Sequence, residues 1–143
     1  MNRYVVDASV AVKWIPLFSS EPLVSEAKRY LERRSAGEIA LVVPDLFWPE
    51  VTGVLCRAAR RGVCKLDEAE RALVALQGLH LPTLSSPTIV NPALGIAVKY
   101  GRSIYDSMYV ALAVRLHSQL ITADEKLANA LVAHLPVIWL GSL

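Results

Sequence analysis

The chain has 143 residues, of which 54% are hydrophobic and 20% are charged, and its formal net charge is +2 at neutral pH. These values exclude a largely disordered chain and predict one compact domain over residues 1–143. A net charge this small does not by itself identify a nucleic-acid partner, because domains that bind mainly through charge are strongly basic.

The sequence also lacks the usual signs of secretion, membrane insertion and disulfide bonding. Met1 is not followed by a charged segment, an apolar run and a small-residue cleavage site, so we expect no secretion by that route. The longest stretch without a charged side chain, residues 72–98, contains three prolines, which disfavours a membrane span. Cys56 and Cys64 form no CxxC motif or disulfide framework, and we interpret them as the reduced thiols of a cytoplasmic protein.

Short apolar runs alternate with longer helical patterns along the chain. The runs predict buried strands at residues 4–6, 40–43, 120–123 and 137–140, with a weaker candidate at 81–84. The helical patterns cover residues 22–34, a segment that starts at Pro44–Asp45 and ends near Gly62, a segment that starts at Asp67, and residues 92–101, 105–117 and 124–133. This alternation predicts an α/β fold with a mostly parallel sheet covered by helices on both faces.

Carboxylates occur at the ends of two predicted strands and at the starts of two predicted helices. Asp7 and Asp124 follow separate strands, and ligands of such sheets bind beyond the carboxyl ends of the strands. Asp106 begins an otherwise apolar helix, and Glu50 lies near the start of another. If both helix starts face the same edge of the sheet, the four acids converge there.

Converging carboxylates would suit a particular chemistry. Their oxygens are the ligands preferred by Mg2+ or Mn2+, and Mg2+ usually keeps several waters while taking only a few protein carboxylates. A metal held in this way supports in-line hydrolysis of a phosphodiester. Without metal, crowding of like charges should raise the pKa of at least one of these carboxyl groups.

Each acid also has an ordinary structural interpretation. Asp124 is suited to a helix N-cap, Asp106 to the positive end of a helix dipole, and Glu50 to a solvent-facing helical position. Taken singly, these interpretations are the better ones. Asp7 is harder to explain in this way, because a carboxylate that closes a buried strand needs a partner.

Four motifs contain these acids, and together they resemble a known family. They are Tyr4-Val-Val-Asp7-Ala-Ser9, Pro44-Asp-Leu-Phe-Trp-Pro-Glu50-Val, Tyr105-Asp106-Ser107 and Leu120-Ile-Thr122-Ala-Asp124. In this order and spacing they cover nearly the whole chain and look like a PIN domain. The compact length is similar to that of VapC-type toxins of toxin–antitoxin pairs.

The resemblance implies a Rossmann-like, three-layer α/β/α fold and an Mg2+- or Mn2+-dependent endoribonuclease, the toxin of a toxin–antitoxin pair. It also implies a homodimer, an RNA substrate, no membrane association and an antitoxin that inserts a segment over the acidic pocket. By the same resemblance, the closest metal ligands are Asp7, Asp106 and Asp124. Glu50 would bind through water or a second metal. The hydroxyls of Ser9 and Thr122 would be supporting groups. Two departures stand out, namely Ser107 where alanine is frequent, and Glu125, an acid beside Asp124 that is an alternative ligand.

Other functions remain open at this point. A PIN-fold nuclease of RNA processing outside a toxin–antitoxin pair has the same chemistry, and a non-catalytic PIN module would bind RNA or protein without cutting. A receiver-like phosphoacceptor would need paired acids near the first strand, which Val5-Val6-Asp7 does not provide.

Two groups of basic residues are candidates for RNA phosphate contacts. They are the cluster Arg57, Arg60, Arg61 and Lys65, and the residues near the acidic motifs Lys13, Lys99 and Arg102. For the cluster we favour a solvated helix face.

Overall fold

A computed structural model describes residues 1–142 and contains a five-stranded parallel sheet. The strands are β1 (Asn2–Val6), β2 (Ile39–Pro44), β3 (Thr83–Leu84), β4 (Gln119–Thr122) and β5 (Val137–Trp139). The helices are α1 (Ala8–Ala11), α2 (Val24–Ser35), α3 (Phe47–Arg60), α4 (Leu66–Gln77), α5 (Val90–Tyr100), α6 (Ile104–Arg115) and α7 (Glu125–Leu131). Short 3-10 turns cover Val12–Trp14, Pro16–Phe18, Ser86–Thr88 and Leu140–Ser142.

The strand order is β3-β2-β1-β4-β5, with β1 in the centre of the sheet. Val5 lies opposite Val42 of β2 on one side and Leu120 of β4 on the other. The chain therefore leaves β1 toward one edge of the sheet and later returns to β4 on its other side. This reversal is the position at which open α/β sheets bind ligands, and the predicted α/β fold with helices flanking a parallel sheet is confirmed.

Helix α6 occupies the interior of the molecule. Residues 107–113 are all buried, and the helix contacts β1, β2 and β4. A helix that is apolar on every side is expected in this position, because solvent reaches none of its faces along that stretch. The N-terminal turn is less buried, so α6 projects its first residues from the core toward the edge of the sheet.

Three predicted helix starts were wrong by two or three residues. Helix α2 begins at Val24 and not at Pro22, because Leu23 between them has a left-handed backbone conformation. Pro44 is the last residue of β2, and α3 begins only at Phe47. The side chain of Asp45 accepts hydrogen bonds from the backbone N–H and the hydroxyl of Ser86, which holds this residue outside the helix. Pro92 is the third residue of α5 and not its first. A proline is tolerated at any position of the first turn, because the backbone N–H groups there have no helical partner.

Two further details differ from the sequence-based expectation. Helix α1 was not predicted, because its four residues are too short for a periodic pattern. The last strand ends at Trp139, and Leu140 belongs to the following 3-10 turn. Within residues 1–142, no helix has both the length and the apolar composition needed to cross a membrane.

Candidate active site

Asp7 stands at the junction between β1 and α1, at the centre of the sheet's carboxyl edge. Its backbone N–H donates to the carbonyl of Ile121 in β4 at 3.1 Å, which extends the pairing of β1 and β4 by one residue. The residue is 8% exposed. Oδ2 accepts hydrogen bonds from the hydroxyls of Thr122 at 2.7 Å and Ser9 at 2.8 Å. A buried carboxylate is thus held in one orientation by two neutral donors.

The hydroxyls of Ser9 and Thr122 connect Asp7 to the segment that follows β4. Ser9 Oγ accepts from the backbone N–H of Ala123 at 3.0 Å, and Thr122 Oγ1 accepts from the backbone N–H of Asp124 at 3.0 Å. Each hydroxyl therefore donates to Asp7 and accepts from the chain leading to Asp124. These contacts fix the relative positions of two carboxylates that lie far apart in sequence.

Asp124 begins α7 and serves as its N-cap. Its Oδ1 accepts from the backbone N–H of Leu127 at 3.1 Å, as an N-cap side chain normally does. The residue is exposed and lines the same groove as Asp7. The ordinary structural interpretation of Asp124 is therefore correct, and it is compatible with a second role.

Glu50 lies in the first turn of α3, where its carboxylate meets a buried tyrosine. The hydroxyl of Tyr109 donates to Oε1 of Glu50 at 2.6 Å, and the tyrosine itself is 1% exposed. Burial raises the pKa of Tyr109 well above its usual range, with further contributions from Asp7 and Glu50, so the hydroxyl remains a donor at every ordinary pH. Tyr109 fixes one oxygen of Glu50 in the way that Thr122 and Ser9 fix one oxygen of Asp7.

Asp106 lies in the first turn of α6. The Ser103 hydroxyl caps this helix by accepting from the Asp106 backbone N–H at 3.0 Å. The Asp106 side chain is half-buried and lines the groove with the other three acids.

The four acids line one groove of about 370 Å³ at the carboxyl edge of the sheet, called the carboxylate groove below. Its acidic residues are Asp7, Glu50, Asp106 and Asp124, and its other lining residues include Ser9, Gly53 and Arg57. Thr122 lies beneath it, fully buried against Asp7. All six residues that the sequence motifs single out are thus brought together.

The electrostatics of the groove reflect this crowding. The pKa of Asp7 is raised mainly by burial, with a smaller contribution from the charge of Asp106, although the hydroxyls of Thr122 and Ser9 oppose the shift. The pKa of Glu50 is raised by burial first and then by the charges of Asp7 and Asp106. Burial and the charge of Asp124 raise the pKa of Asp106, while Ser103 and Arg102 lower it. The folded protein therefore holds several carboxylates close together in partly buried positions, where solvent and positive side chains stabilise their negative charge poorly.

The donor set suits a hard divalent cation. The hydrogen bonds described above occupy one oxygen of Asp7, of Glu50 and of Asp124, which leaves the second oxygen of each for another ligand. Only carboxylate and hydroxyl oxygens are offered, and these favour Mg2+ or Mn2+ over softer metals. Within residues 1–142, no three His, Cys, Asp or Glu side chains are already close enough to enclose an ion. Such a site would suit an ion that keeps part of its water shell.

Two residues near the acids were not predicted as site residues: Tyr109 was not singled out, and Arg57 was named only within the basic cluster, for which a solvated helix face was favoured. Tyr109 lies three residues after Asp106, and Arg57 lies seven residues after Glu50. Both spacings place the residue on the same helix face as the nearby acid, and this spacing is the sequence feature from which the two residues could have been predicted. Lys13 was a candidate for RNA contacts, but it is buried and paired with Glu21 at 3.1 Å.

This fold and site define a class of protein: the chain belongs to the PIN domain family, which it matches over residues 4–131. One relative within this family is a VapC ribonuclease. The chain is 33% identical over 130 residues to Ribonuclease VapC3 of Pyrobaculum aerophilum, an alignment that covers 89% of this chain and 93% of that protein. PIN-domain ribonucleases generally depend on a divalent metal.

Solved structures show the same fold. The crystal structure of PAE2754 from Pyrobaculum aerophilum has a TM-score of 0.71 and 24% identity, with 99% of this chain and 85% of that chain covered. A toxin–antitoxin complex from Klebsiella pneumoniae gives a TM-score of 0.64 and 20% identity, with 94% of this chain and 95% of that chain covered.

Proposed function

We propose that this protein is a metal-dependent endoribonuclease that acts as the toxin of a toxin–antitoxin pair, with Asp7, Glu50, Asp106 and Asp124 as its active site. The observation that carries the proposal is the carboxylate groove, in which acids from four separate segments meet at the carboxyl edge of the sheet. The relative named Ribonuclease VapC3, which aligns over 89% of this chain, supports the choice of RNA as substrate.

The ion that we propose is Mg2+, with Mn2+ as a substitute. Asp7, Asp106 and Asp124 would be its closest ligands, and Glu50 would act through water or on a second ion. When bound, such an ion supplies the means of activating water and of neutralising charge on the phosphodiester. The reaction is in-line hydrolysis, in which water attacks phosphorus while the opposite ester oxygen leaves.

The surrounding residues prepare the acids for this reaction. Ser9 and Thr122 hold Oδ2 of Asp7, and Tyr109 holds Oε1 of Glu50. Because these donors are neutral, they orient the carboxylates without using up the negative charge that attracts a cation. The protein therefore retains an anionic groove that suits a bound cation or a basic ligand.

The proposed partners follow from the same class of proteins. We propose a homodimer, located in the cytoplasm with its RNA substrate, and an antitoxin that covers the carboxylate groove. A structural relative was solved as a toxin–antitoxin complex, which supports the antitoxin partner. Mass measurement in solution that finds only monomers at micromolar concentration would contradict the dimer.

The test is cleavage of a mixed pool of structured RNAs by the purified protein with Mg2+, with Mn2+ and with chelator. We expect metal-dependent cutting that Asp7→Asn reduces more than about 100-fold, beyond the effect typical of residues that only support metal ligands. The matched control is Asp67→Asn, which removes the same charge from an exposed position on α4, where Asp67 pairs with Arg71. Cutting that survives in Asp7→Asn would indicate a contaminating nuclease, and RNA binding without cutting would favour a non-catalytic PIN module.

A further inference from the structure

Arg57 extends along helix α3 into the carboxylate groove. It lies two helical turns after Glu50, and the groove is lined on this helix by Glu50, Gly53, Val54 and Arg57. These positions share one face of a helix. The guanidinium Nη1 lies 3.5 Å from the position that a Cβ at Gly53 would take, so the exposed side chain of Arg57 runs back along the helix toward its N-terminal end, where Glu50 lies.

Arg57 forms no ion pair within residues 1–142. The three ion pairs among residues 1–142 join Lys13 to Glu21, Arg33 to Glu38 and Arg71 to Asp67. The basic residue that lowers the pKa of an acid in the groove is Arg102, which acts on Asp106. Arg57 contributes to none of the pKa shifts of Asp7, Glu50 or Asp106. Among the described residues, Arg57 is a cation in the wall of an acidic groove with no acidic side chain within ion-pair distance.

The phosphates of an RNA strand in this groove would differ in how their negative charge is compensated. At the acids, a bound cation compensates the charge of one phosphate. The neighbouring phosphates of the strand still face a groove lined by four carboxylates, and a cation in the wall is needed to offset that repulsion. A guanidinium suits the task, because it keeps its charge at every ordinary pH and offers two parallel N–H donors to phosphate oxygens.

We propose that Arg57 binds a phosphate of the RNA strand next to the scissile bond and so positions that bond over the carboxylates. This inference rests on the proposed function, because it assigns a residue to the same substrate. In this role Arg57 is a positioning residue whose contribution is to RNA affinity and register.

Helix α3 offers a matched control in Arg60. This arginine is exposed, as Arg57 is, but it lines a separate and mainly apolar groove between α3 and α4. Replacing either arginine with glutamine removes one positive charge from the same helix. A nonspecific effect of net charge on RNA binding would be equal in the two variants, whereas a contact in the carboxylate groove would be lost in only one.

The test measures binding of a short, fluorescently labelled, single-stranded RNA of mixed sequence by anisotropy over a series of salt concentrations. Each variant is also combined with Asp7→Asn, so that the RNA stays intact. We expect Arg57→Gln to raise Kd about tenfold, equivalent to about 1.4 kcal/mol. The slope of log K against log salt should become shallower by about 0.7, the value for one phosphate contact on a single strand.

Two further variants complete the series. Arg57→Lys should restore the salt slope but only part of the affinity, because lysine keeps the charge without the paired donors. Arg60→Gln should change neither quantity. In the background with Asp7 intact, Arg57→Gln should raise KM for RNA more than it lowers kcat, with thermal unfolding confirming that the variant is folded.

Failure of this inference is distinguishable from failure of the proposed function. If the wild-type protein cuts RNA while Arg57→Gln keeps the wild-type KM, Kd and salt slope, the inference is overturned. The guanidinium would then be expected to bind an acidic segment of a protein partner instead. Equal losses in Arg57→Gln and Arg60→Gln would also overturn it. Absence of cutting in every metal contradicts the proposed function, while the binding series still reports on Arg57.

Discussion

Carboxylates in the groove are oriented by neutral hydroxyl groups. Asp7 receives hydrogen bonds from Ser9 and Thr122, and Glu50 receives one from Tyr109. A positively charged partner would have oriented these side chains equally well. It would also have lowered the negative charge of the groove, and with it the affinity for a cation.

The first prediction concerns the hydroxyl of Tyr109. Tyr109→Phe keeps the buried ring but removes the donor that holds Glu50, so the fold should persist while the carboxylate loses its fixed orientation. We expect Mn2+ affinity and RNA cleavage to fall about 10- to 100-fold, the range typical of residues that orient metal ligands. Calorimetric titration with Mn2+ alone measures the first quantity without reference to activity.

The control is Tyr30→Phe, which removes a hydroxyl from another buried tyrosine, located on α2 and in edge contact with Tyr4. This variant should bind Mn2+ as the wild type does. An unchanged Mn2+ affinity in folded Tyr109→Phe would contradict the positioning role.

At the scale of elements, the start of α7 combines two roles in one residue. Asp124 caps the helix through Leu127 N–H and also lines the groove. Asp124→Ser should retain the cap and most of the stability but lose the carboxylate, whereas Asp124→Ala should lose both, at an additional cost of about 1 kcal/mol in the free energy of unfolding.

Urea unfolding and RNA cleavage of the two variants separate these roles. Both variants should be impaired in cleavage to a similar degree, and only Asp124→Ala should be clearly less stable. Full cleavage activity in Asp124→Ser would reduce Asp124 to a capping residue, and Glu125 would then be the acid to replace next.

The order of elements was predictable because their sequence signals are local. β1 and β4 are short apolar runs that end beside a polar residue, and α6 is apolar on every side. The errors arose where tertiary contacts decide an element's boundary. Asp45 looks like the start of a helix, yet its side chain is bonded to Ser86, far along the chain.

The site was predictable only in part, for a related physical reason. Asp7 and Asp124 follow strands, and parallel strands bring their carboxyl ends to one edge, so topology alone brings them together. The contact between Tyr109 and Glu50 depends on how α6 crosses α3, which no local pattern specifies. The position of Arg57 likewise depends on how α3 packs against α1 and α4.

For the molecule as a whole, the acidic groove has a cost in stability. Burial is the largest cause of the raised pKa values of Asp7, Glu50 and Asp106. The folded protein therefore binds protons at these groups more tightly than the unfolded chain does. Their contribution to stability is greatest below the ordinary carboxyl range and is lost as pH rises through the raised values.

Asp7→Asn should consequently stabilise the metal-free protein, and the gain over wild type should grow as pH rises from about 4 to about 7. The pKa of Asp45 is lowered, mainly by its hydrogen bond with Ser86, so Asp45 contributes to stability with the opposite pH dependence. This contribution is the same in both proteins and cancels when they are compared at each pH. Thermal unfolding in chelator over this range is the measurement. A gain that is constant with pH would show that burial of the charge is not its cause.

Metal binding should offset the loss of stability that the charged carboxylates of the groove cause. An ion that binds only the folded protein adds about 2.7 kcal/mol to the free energy of unfolding at 100 times its dissociation constant. Wild-type protein should therefore melt at a higher temperature in Mn2+ than in chelator. Asp7→Asn and Asp106→Asn should show little or no shift, and a shift of wild-type size in either variant would place the ion elsewhere.

The hydrogen bond between Thr122 and Asp7 spans 115 residues of sequence. During synthesis Asp7 is made long before Thr122, so its surroundings are incomplete until β4 has emerged and paired with β1. The same holds for a chain shortened before residue 119 by a frameshift or by proteolysis. A chain without β4 therefore lacks the Thr122 hydroxyl that orients Asp7, and a chain that ends there also lacks Asp124, so the carboxylate groove cannot be completed.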